Sequence, residues 1–126
     1  MTYRELYEKA QDMINKAYAP FSKFKVGAAL LSKDGRVFTG VNVENSSLGG
    51  TICAERTASV KAISEGVREF QAIAVVSGEG AVWPCGICRQ FMKEFCDDEF
   101  KIITGDNADS LDIMTMNEIL PKGFRL

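Results

Sequence analysis

The sequence predicts an α/β sandwich in which helices pack against a mixed β-sheet. Three observations lead to this prediction. Segments with apolar residues three and four positions apart alternate with short apolar runs that are typical of strands. The run AIAVVS within residues 71–77 is dense enough for a strand buried on both faces. Residues 24–41 carry a turn sequence near their centre, so they predict an antiparallel hairpin that makes the sheet mixed.

The beginning of the chain is predicted to form one helix and this hairpin. Residues 2–17 have the apolar spacing of an amphipathic helix. Thr2 and Glu5 have the spacing of a capping box, which begins a helix by pairing its first backbone N–H groups. The hairpin strands are predicted over residues 24–31 and 36–41.

The middle of the chain is predicted to form a loop, a helix and the most buried strand. The polar, glycine-containing residues 42–50 predict the loop. A helix is then expected from Thr51, as its N-cap, to about Ser64, and Gly66 ends it. The buried strand at residues 71–77 follows.

The end of the chain continues the alternation of helices and strands. A helix is predicted over residues 86–95, and two short strands are predicted over residues 100–104 and 111–114. Thr115 and Glu118 form a second capping box, which begins a last short helix.

Composition and charge exclude several classes of protein. The net charge is −2, and 15 basic residues are scattered among 17 acidic ones, so no basic surface for nucleic acid is expected. No apolar stretch approaches the roughly 18 residues of a membrane span, and the amphipathic N-terminus does not resemble a secretory signal. We therefore expect a cytoplasmic protein without membrane or nucleic-acid partners. Because no linker or repeat is present, we expect one domain over residues 1–126.

Three of the four cysteines form the most informative pattern. Cys53 lies near the start of the second predicted helix, and Cys85 and Cys88 lie at the start of the third. The N-terminal end of a helix stabilises thiolates, and C-x-x-C spacing lets two sulfur atoms bind one ion at about 2.3 Å. Cys96 is eight residues beyond Cys88, about 12 Å along a helix. It is therefore predicted to be a buried thiol rather than a fourth ligand.

The residues around these cysteines indicate a catalytic zinc site. Three protein ligands leave one coordination position open for water, whose pKa zinc would lower. Glu55 follows Cys53 by two residues, so we predict that it accepts the proton of that water and passes it to a substrate. Three thiolates give the centre a net charge of about −1. Arg56, and after it Arg89, is the predicted cation that offsets this charge.

Other interpretations of the cysteine pattern remain. A C-x-x-C pair by itself is also typical of a redox pair or of half a structural zinc site. Cys53 and Glu55 upstream favour the catalytic interpretation, because a purely structural metal site has no use for the carboxylate.

Cys53-Ala-Glu55 followed by Pro84-Cys85-x-x-Cys88 is the zinc deaminase signature, with cysteine in place of the usual first histidine. Together with residues 42–45 and 120–124, it resembles the small homotetrameric cytidine deaminases that use three cysteine ligands. The resemblance implies a three-layer α/β/α sandwich with a five-stranded mixed sheet and one zinc ion per subunit. It implies hydrolysis of cytidine and deoxycytidine to uridine and deoxyuridine, with release of ammonia, in pyrimidine salvage.

The same resemblance implies roles for individual residues. Phe24 would pack against the base, Asn42 and Glu44 would bind the ribose hydroxyls, and the backbone of Ala54 would contact the pyrimidine edge. Phe124 would reach into the site of a neighbouring subunit, so that the homotetramer completes each site. Without the resemblance, Asn42 and Glu44 would be interpreted as turn residues, Phe24 as core and Phe124 as a C-terminal anchor. The resemblance also assigns Arg56 hydrogen bonds to the thiolates.

Two residues depart from the family pattern. Leu48 stands where the family commonly has an aromatic residue, and Gly50 stands where a larger residue is common. We therefore expect a smaller, more flexible loop over residues 46–50. The Gly49-Gly50 pair is similar to relatives that deaminate nucleoside antibiotics such as blasticidin S, which is the alternative substrate class; Glu44 favours a ribose instead. A polynucleotide-editing deaminase or a non-catalytic zinc module is a third hypothesis.

Overall fold

One mixed sheet organises the chain, and the computed structural model describes all 126 residues. The strands are β1 (Val26–Ser32), β2 (Val37–Val41), β3 (Phe70–Ser77), β4 (Gly80–Ala81), β5 (Lys101–Asn107) and β6 (Ser110–Thr115). Five of them lie in the order β2-β1-β3-β5-β6, and the two-residue strand β4 pairs with β3. Only β3 and β5 pair in parallel. The predicted five-stranded mixed sheet is therefore confirmed, with β4 as an addition.

Four α-helices complete the fold, and two of them begin where capping boxes were predicted. The helices are α1 (Tyr3–Met13), α2 (Ala54–Ser64), α3 (Gly86–Phe95) and α4 (Met116–Ile119). Thr2 and Glu5 exchange the two hydrogen bonds of the first capping box, and Thr115 and Glu118 exchange those of the second. None of the helices has the length and apolar character that a bilayer crossing requires.

The helices form layers on both faces of the sheet. Helix α1 packs on one face through Leu6, Tyr7 and Ala10, against side chains of β1, β3 and β5. The other face belongs to the larger core cluster, which takes residues from α2, α3 and α4. Burial of these two apolar faces makes β1 buried along its whole length and leaves only Gln71 of β3 exposed. The predicted three-layer sandwich is confirmed.

The start of helix α2 differs from the prediction. Thr51 is not its N-cap; the helix begins at Ala54, and Cys53 occupies the N-cap position. The reason is that Ile52 makes a β-bridge with Val43, so the chain stays extended for two more residues. The hydroxyl of Thr51 instead accepts a hydrogen bond from the Asn45 N–H at 3.1 Å.

The start of strand β1 also differs from the prediction. The strand begins at Val26 rather than Phe24, because the side chain of Asn42, and not the backbone of a neighbouring strand, makes hydrogen bonds to the chain before Val26. The Asn42 amide accepts a hydrogen bond from the Val26 N–H at 2.9 Å and donates one to the Phe24 carbonyl at 2.7 Å. Residues 24 and 25 are thus held beside β2 without belonging to the ladder.

A close approach between α2 and β2 positions the start of the helix. A Cβ atom added to Gly40 would lie 2.5 Å from the Ala54 carbonyl oxygen and 2.5 Å from the Ala58 nitrogen. Only glycine therefore lets the helix backbone rest directly on the strand. At the other end, the helix stops at Ser64 and Gly66 has a φ of 90°, a conformation that glycine adopts readily where a helix ends.

Candidate metal centre and adjoining pocket

Two helix N-termini meet at the three predicted ligands. Cys53 is the N-cap residue of α2 and Cys85 is the N-cap residue of α3, while Cys88 lies in the first turn of α3. No side-chain hydrogen bond caps either helix. The free N–H groups and the positive end of each helix dipole therefore lie next to the cysteines, where they stabilise negative charge.

The sulfur atoms of this cluster fit one metal ion. The Sγ atoms of Cys53, Cys85 and Cys88 all lie within 4.8 Å of one another, and those of Cys53 and Cys85 are 3.8 Å apart. Tetrahedral zinc with bonds of about 2.3 Å holds two sulfur ligands about 3.8 Å apart. The three thiols are therefore positioned to bind one zinc ion. Cys96 is outside the cluster and buried at the end of α3, where burial raises its pKa to about 12.

The thiols and an arginine share the charge of this cluster. The thiol of Cys88, followed by the Arg56 guanidinium, lowers the pKa of Cys53 to about 5. The hydrogen bond between the side chains of Cys53 and Cys88, together with burial, raises the pKa of Cys88. The Nη2 atom of Arg56 donates to the Cys53 Sγ at 3.5 Å, and its Nε atom is buried without a hydrogen-bond partner. The guanidinium thus lies against the cluster, where a positive charge offsets thiolates.

Arg89, the second predicted cation, is used differently. Its Nε atom donates to the Pro84 carbonyl at 2.7 Å, and its Nη1 atom donates to the Ile119 carbonyl at 2.8 Å. The side chain therefore fixes the residue before Cys85 to helix α4 and makes no hydrogen bond to a sulfur atom.

Glu55 is buried beside the ligands. Its side chain lies in the first turn of α2 and is 4% exposed. Burial raises the pKa of this carboxyl to about 7. A carboxyl group with a pKa near neutrality can both accept and release a proton, which is the requirement for a general acid–base group.

A cavity of about 290 Å³ adjoins the cluster. This volume is close to the lower end of the roughly 300–1,000 Å³ typical of small-molecule pockets. The cavity brings together residues from the start of β1 and the segment before it, the loop after β2, the start of α2 and the loop before α3. Those that the sequence singled out are Phe24, Asn42, Glu44, Cys53, Ala54, Glu55 and Cys85. We call Cys53, Glu55, Cys85 and Cys88 the metal end, and Ser22, Phe24, Asn42 and Glu44 the loop end.

Apart from Phe24, the loop end consists of polar side chains that make hydrogen bonds to the backbone. Asn42 bonds to Phe24 and Val26, as described above. One carboxylate oxygen of Glu44 accepts hydrogen bonds from the N–H groups of Phe21 at 2.9 Å and Ser22 at 3.1 Å. The partners of Asn42 and Glu44 lie 16 to 23 residues earlier in the chain, so these hydrogen bonds are not the contacts within their own loop that the alternative interpretation expected. The same contacts fix both side chains at the wall of the cavity.

Phe124 is not part of this cavity. It is 62% exposed and lines a separate cavity of about 690 Å³ with Ile87 and other residues of α3. Its carbonyl accepts a hydrogen bond from the Gln90 side chain at 3.0 Å. Leu48, the first departure from the family pattern, is also absent from the cavity and is 80% exposed.

The sequence did not predict six further residues that line the cavity, among them Trp83 and Ser22. The only signal for Trp83 was its place as the chain's single tryptophan, immediately before Pro84 and Cys85. Ser22 gave no signal, because a serine after a proline and a phenylalanine is ordinary in a turn.

The fold and the cluster define a class: an α/β protein whose two helix N-termini hold a three-cysteine metal site beside a small pocket. Residues 1–104 match the family model described as the cytidine and deoxycytidylate deaminase zinc-binding region. The chain therefore belongs to the cytidine and deoxycytidylate deaminase family of zinc enzymes.

Individual relatives agree with this assignment. The cytidine deaminase of Sporosarcina psychrophila is 44% identical, covering 98% of this chain and 92% of that protein. The cytidine deaminase of Halalkalibacterium halodurans is 47% identical, with 98% and 95% covered. The crystal structure of cytidine deaminase from Burkholderia pseudomallei superposes with a TM-score of 0.91 at 45% identity, covering 98% of this chain and all of that one.

Proposed function

We propose that this protein hydrolyses cytidine and deoxycytidine to uridine and deoxyuridine, with release of ammonia. The observation that carries the proposal is the position of Glu55, buried in the same cavity as Cys53 and Cys85. Water supplies the oxygen that replaces the amino group on the pyrimidine ring. Cys53, Cys85 and Cys88 would hold the zinc ion, and zinc when bound lowers the pKa of water and so supplies the nucleophile.

Glu55 moves the protons in this proposal. It accepts protons from the attacking water and delivers them to the substrate, so that the bond between ring carbon and amino nitrogen breaks and ammonia leaves. Burial of Glu55, which brings its pKa to about 7, supports both halves of this task. Arg56 supports the metal end by offsetting the charge of the thiolates.

The remaining cavity residues hold the nucleoside. We assign the base to the apolar wall that includes Phe24 and Trp83, and the pyrimidine edge to the backbone of Ala54. The sugar hydroxyls go to Asn42 and Glu44 at the loop end. A cavity with two polar side chains and an apolar wall suits a nucleoside, whose sugar is polar and whose base has an apolar face.

Assembly into a homotetramer is a further part of the proposal. Phe124 and Ile87 are 62% and 66% exposed, and they lie together on one apolar surface. A neighbouring subunit would cover this surface, and Phe124 would then complete the neighbour's site. If so, Phe124→Ala shifts the sedimentation of the protein toward smaller species and lowers turnover. A variant with unchanged sedimentation and turnover contradicts this role.

We further propose that the enzyme is cytoplasmic and acts in pyrimidine salvage. All four cysteines are unpaired thiols, which suits the reducing conditions of the cytoplasm. The salvage role rests on the proposed nucleoside substrates.

Loss of the cytidine absorbance tests the proposal directly. Zinc-loaded protein is incubated separately with cytidine, deoxycytidine and blasticidin S. Turnover of the two nucleosides supports the proposal, whereas turnover of blasticidin S alone indicates an antibiotic deaminase. Absence of turnover with both nucleosides refutes the proposal. Tight binding of single-stranded RNA or DNA at moderate salt would point to the polynucleotide-editing class instead.

A further inference from the structure

A single serine makes hydrogen bonds to both Glu44 and Phe24 at the loop end of the cavity. The Ser22 hydroxyl donates a hydrogen bond to the second carboxylate oxygen of Glu44. The same hydroxyl accepts a hydrogen bond from the Phe24 N–H at 3.0 Å. Ser22 also lines the cavity itself. Its side chain therefore fixes the position of Glu44 relative to Phe24.

The turn around Ser22 depends on these contacts. Lys23, which is not a glycine, has a φ of 61°, a conformation that is costly for a residue with a side chain. The turn is held by the Lys23 N–H, which donates to the Ala19 carbonyl at 3.0 Å, and by the three hydrogen bonds that Glu44 accepts from Phe21 and Ser22. Glu44 and the turn thus stabilise each other.

The hydrogen bonds that Glu44 already accepts limit how many it can accept from a substrate. An ionised carboxylate has about four acceptor positions and no donor. The turn occupies three of them, namely two on one oxygen and one on the other. The Ser22 hydroxyl also lowers the pKa of Glu44, so the carboxyl stays ionised and acceptor-only at neutral pH. One acceptor position remains, on the oxygen that Ser22 contacts.

The geometry points to Ser22 as a positioning residue that sets which sugar hydroxyl this protein recognises. By occupying one position on the second oxygen of Glu44, Ser22 leaves a single acceptor position there and fixes its direction. One hydroxyl of the sugar can then donate to Glu44. This inference rests on the proposed function, because it names the contact that selects among cytosine nucleosides.

Steady-state kinetics of Ser22→Ala on three nucleosides tests the inference. The substrates are cytidine, 2′-deoxycytidine and 3′-deoxycytidine. We expect the KM for cytidine to rise about tenfold, the size expected for a lost hydrogen bond to a charged group, while kcat is kept. The rise disappears for whichever deoxy analogue lacks the hydroxyl that donates to Glu44. Ser22→Thr keeps the hydroxyl and restores the KM of the wild type.

Two controls separate positioning from a general structural effect. In a Glu44→Gln background, Ser22→Ala should add no further loss, because coupled residues are not additive. Ser110→Ala, at an exposed serine that begins β6, should change no parameter. An equal rise of KM on all three nucleosides, or full additivity with Glu44→Gln, overturns the inference about Ser22 and leaves the proposed function intact. If the wild-type protein consumes none of the three nucleosides, the proposed function itself fails.

Discussion

The two ends of the pocket are held in place in different ways. At the metal end, Cys53 and Cys85 are N-cap residues of two helices, and the buried Glu55 follows in the first turn of α2. At the loop end, Glu44 is fixed by hydrogen bonds to the turn at Phe21 and Ser22, and Asn42 by hydrogen bonds to Phe24 and Val26. Phe24 is 36% exposed.

This difference predicts that the two ends of the pocket affect different kinetic parameters. Two helix N-termini fix the backbone of the metal end, so the positions of its ligands do not depend on a turn elsewhere in the chain. The loop end depends on side chains that bond mutually, so a single change there alters several contacts. We therefore expect changes at the metal end to act on kcat and changes at the loop end to act on KM.

The largest effect is expected from Glu55→Gln. The amide keeps the size of the side chain but cannot move a proton, so kcat should fall by 10²–10⁴-fold, on the order of the contribution of a general acid–base group. Zinc content should stay at one ion per chain. Glu65→Gln, at the exposed C-cap of the same helix, is the matched control and should be fully active. A Glu55→Gln enzyme with normal kcat would remove the proton-transfer role.

A smaller effect of a different kind is expected from Glu44→Gln. The amide has a single acceptor oxygen, and its NH₂ group cannot accept from the turn, so both the turn and the substrate lose hydrogen bonds. KM for cytidine should rise on the order of tenfold to a hundredfold, while kcat changes little. Glu99→Gln, at an exposed glutamate, provides the control. A fall in kcat without a change in KM would mean that the two ends are not separable as described.

The smallest effect is expected from Cys96→Ala. Cys96 is buried at the C-cap of α3, away from the other three cysteines. The change should cost about 1 kcal/mol of unfolding free energy, the usual size for a small loss of packing, and should leave zinc content and kcat unchanged. Urea denaturation and metal analysis measure both. Loss of zinc from this variant would show that the metal end extends further than three cysteines.

The elements that could be predicted from the sequence are those set by local spacing. Both capping boxes depend on residues three positions apart, and the bounds predicted for helix 86–95 agree with those of α3. The metal cluster was predictable for the same reason, since Cys85 and Cys88 share one helix turn. Cys53 was predicted as the third ligand because it lies near the start of a second predicted helix, and the family signature agrees with this prediction.

The features that could not be predicted depend on contacts between distant residues. Helix α2 begins later than expected because Ile52 pairs with Val43, and β1 begins later because Asn42 bonds to Phe24 and Val26. Helix and strand propensities depend on neighbouring residues, so they do not show where a tertiary contact changes the start of an element. Ser22 was missed for the same reason, because its importance lies in a hydrogen bond to a residue 22 positions away.

Zinc content and cytidine turnover, measured in the same sample as the metal is removed with a chelator and then returned, test the central claim most directly. We predict that turnover falls and recovers in proportion to bound zinc, up to one ion per chain, and that Cys85→Ala binds none and has no activity. Turnover that persists after the zinc has been removed, or a fully active Cys85→Ala variant, would contradict the assignment of the chemistry to the metal end.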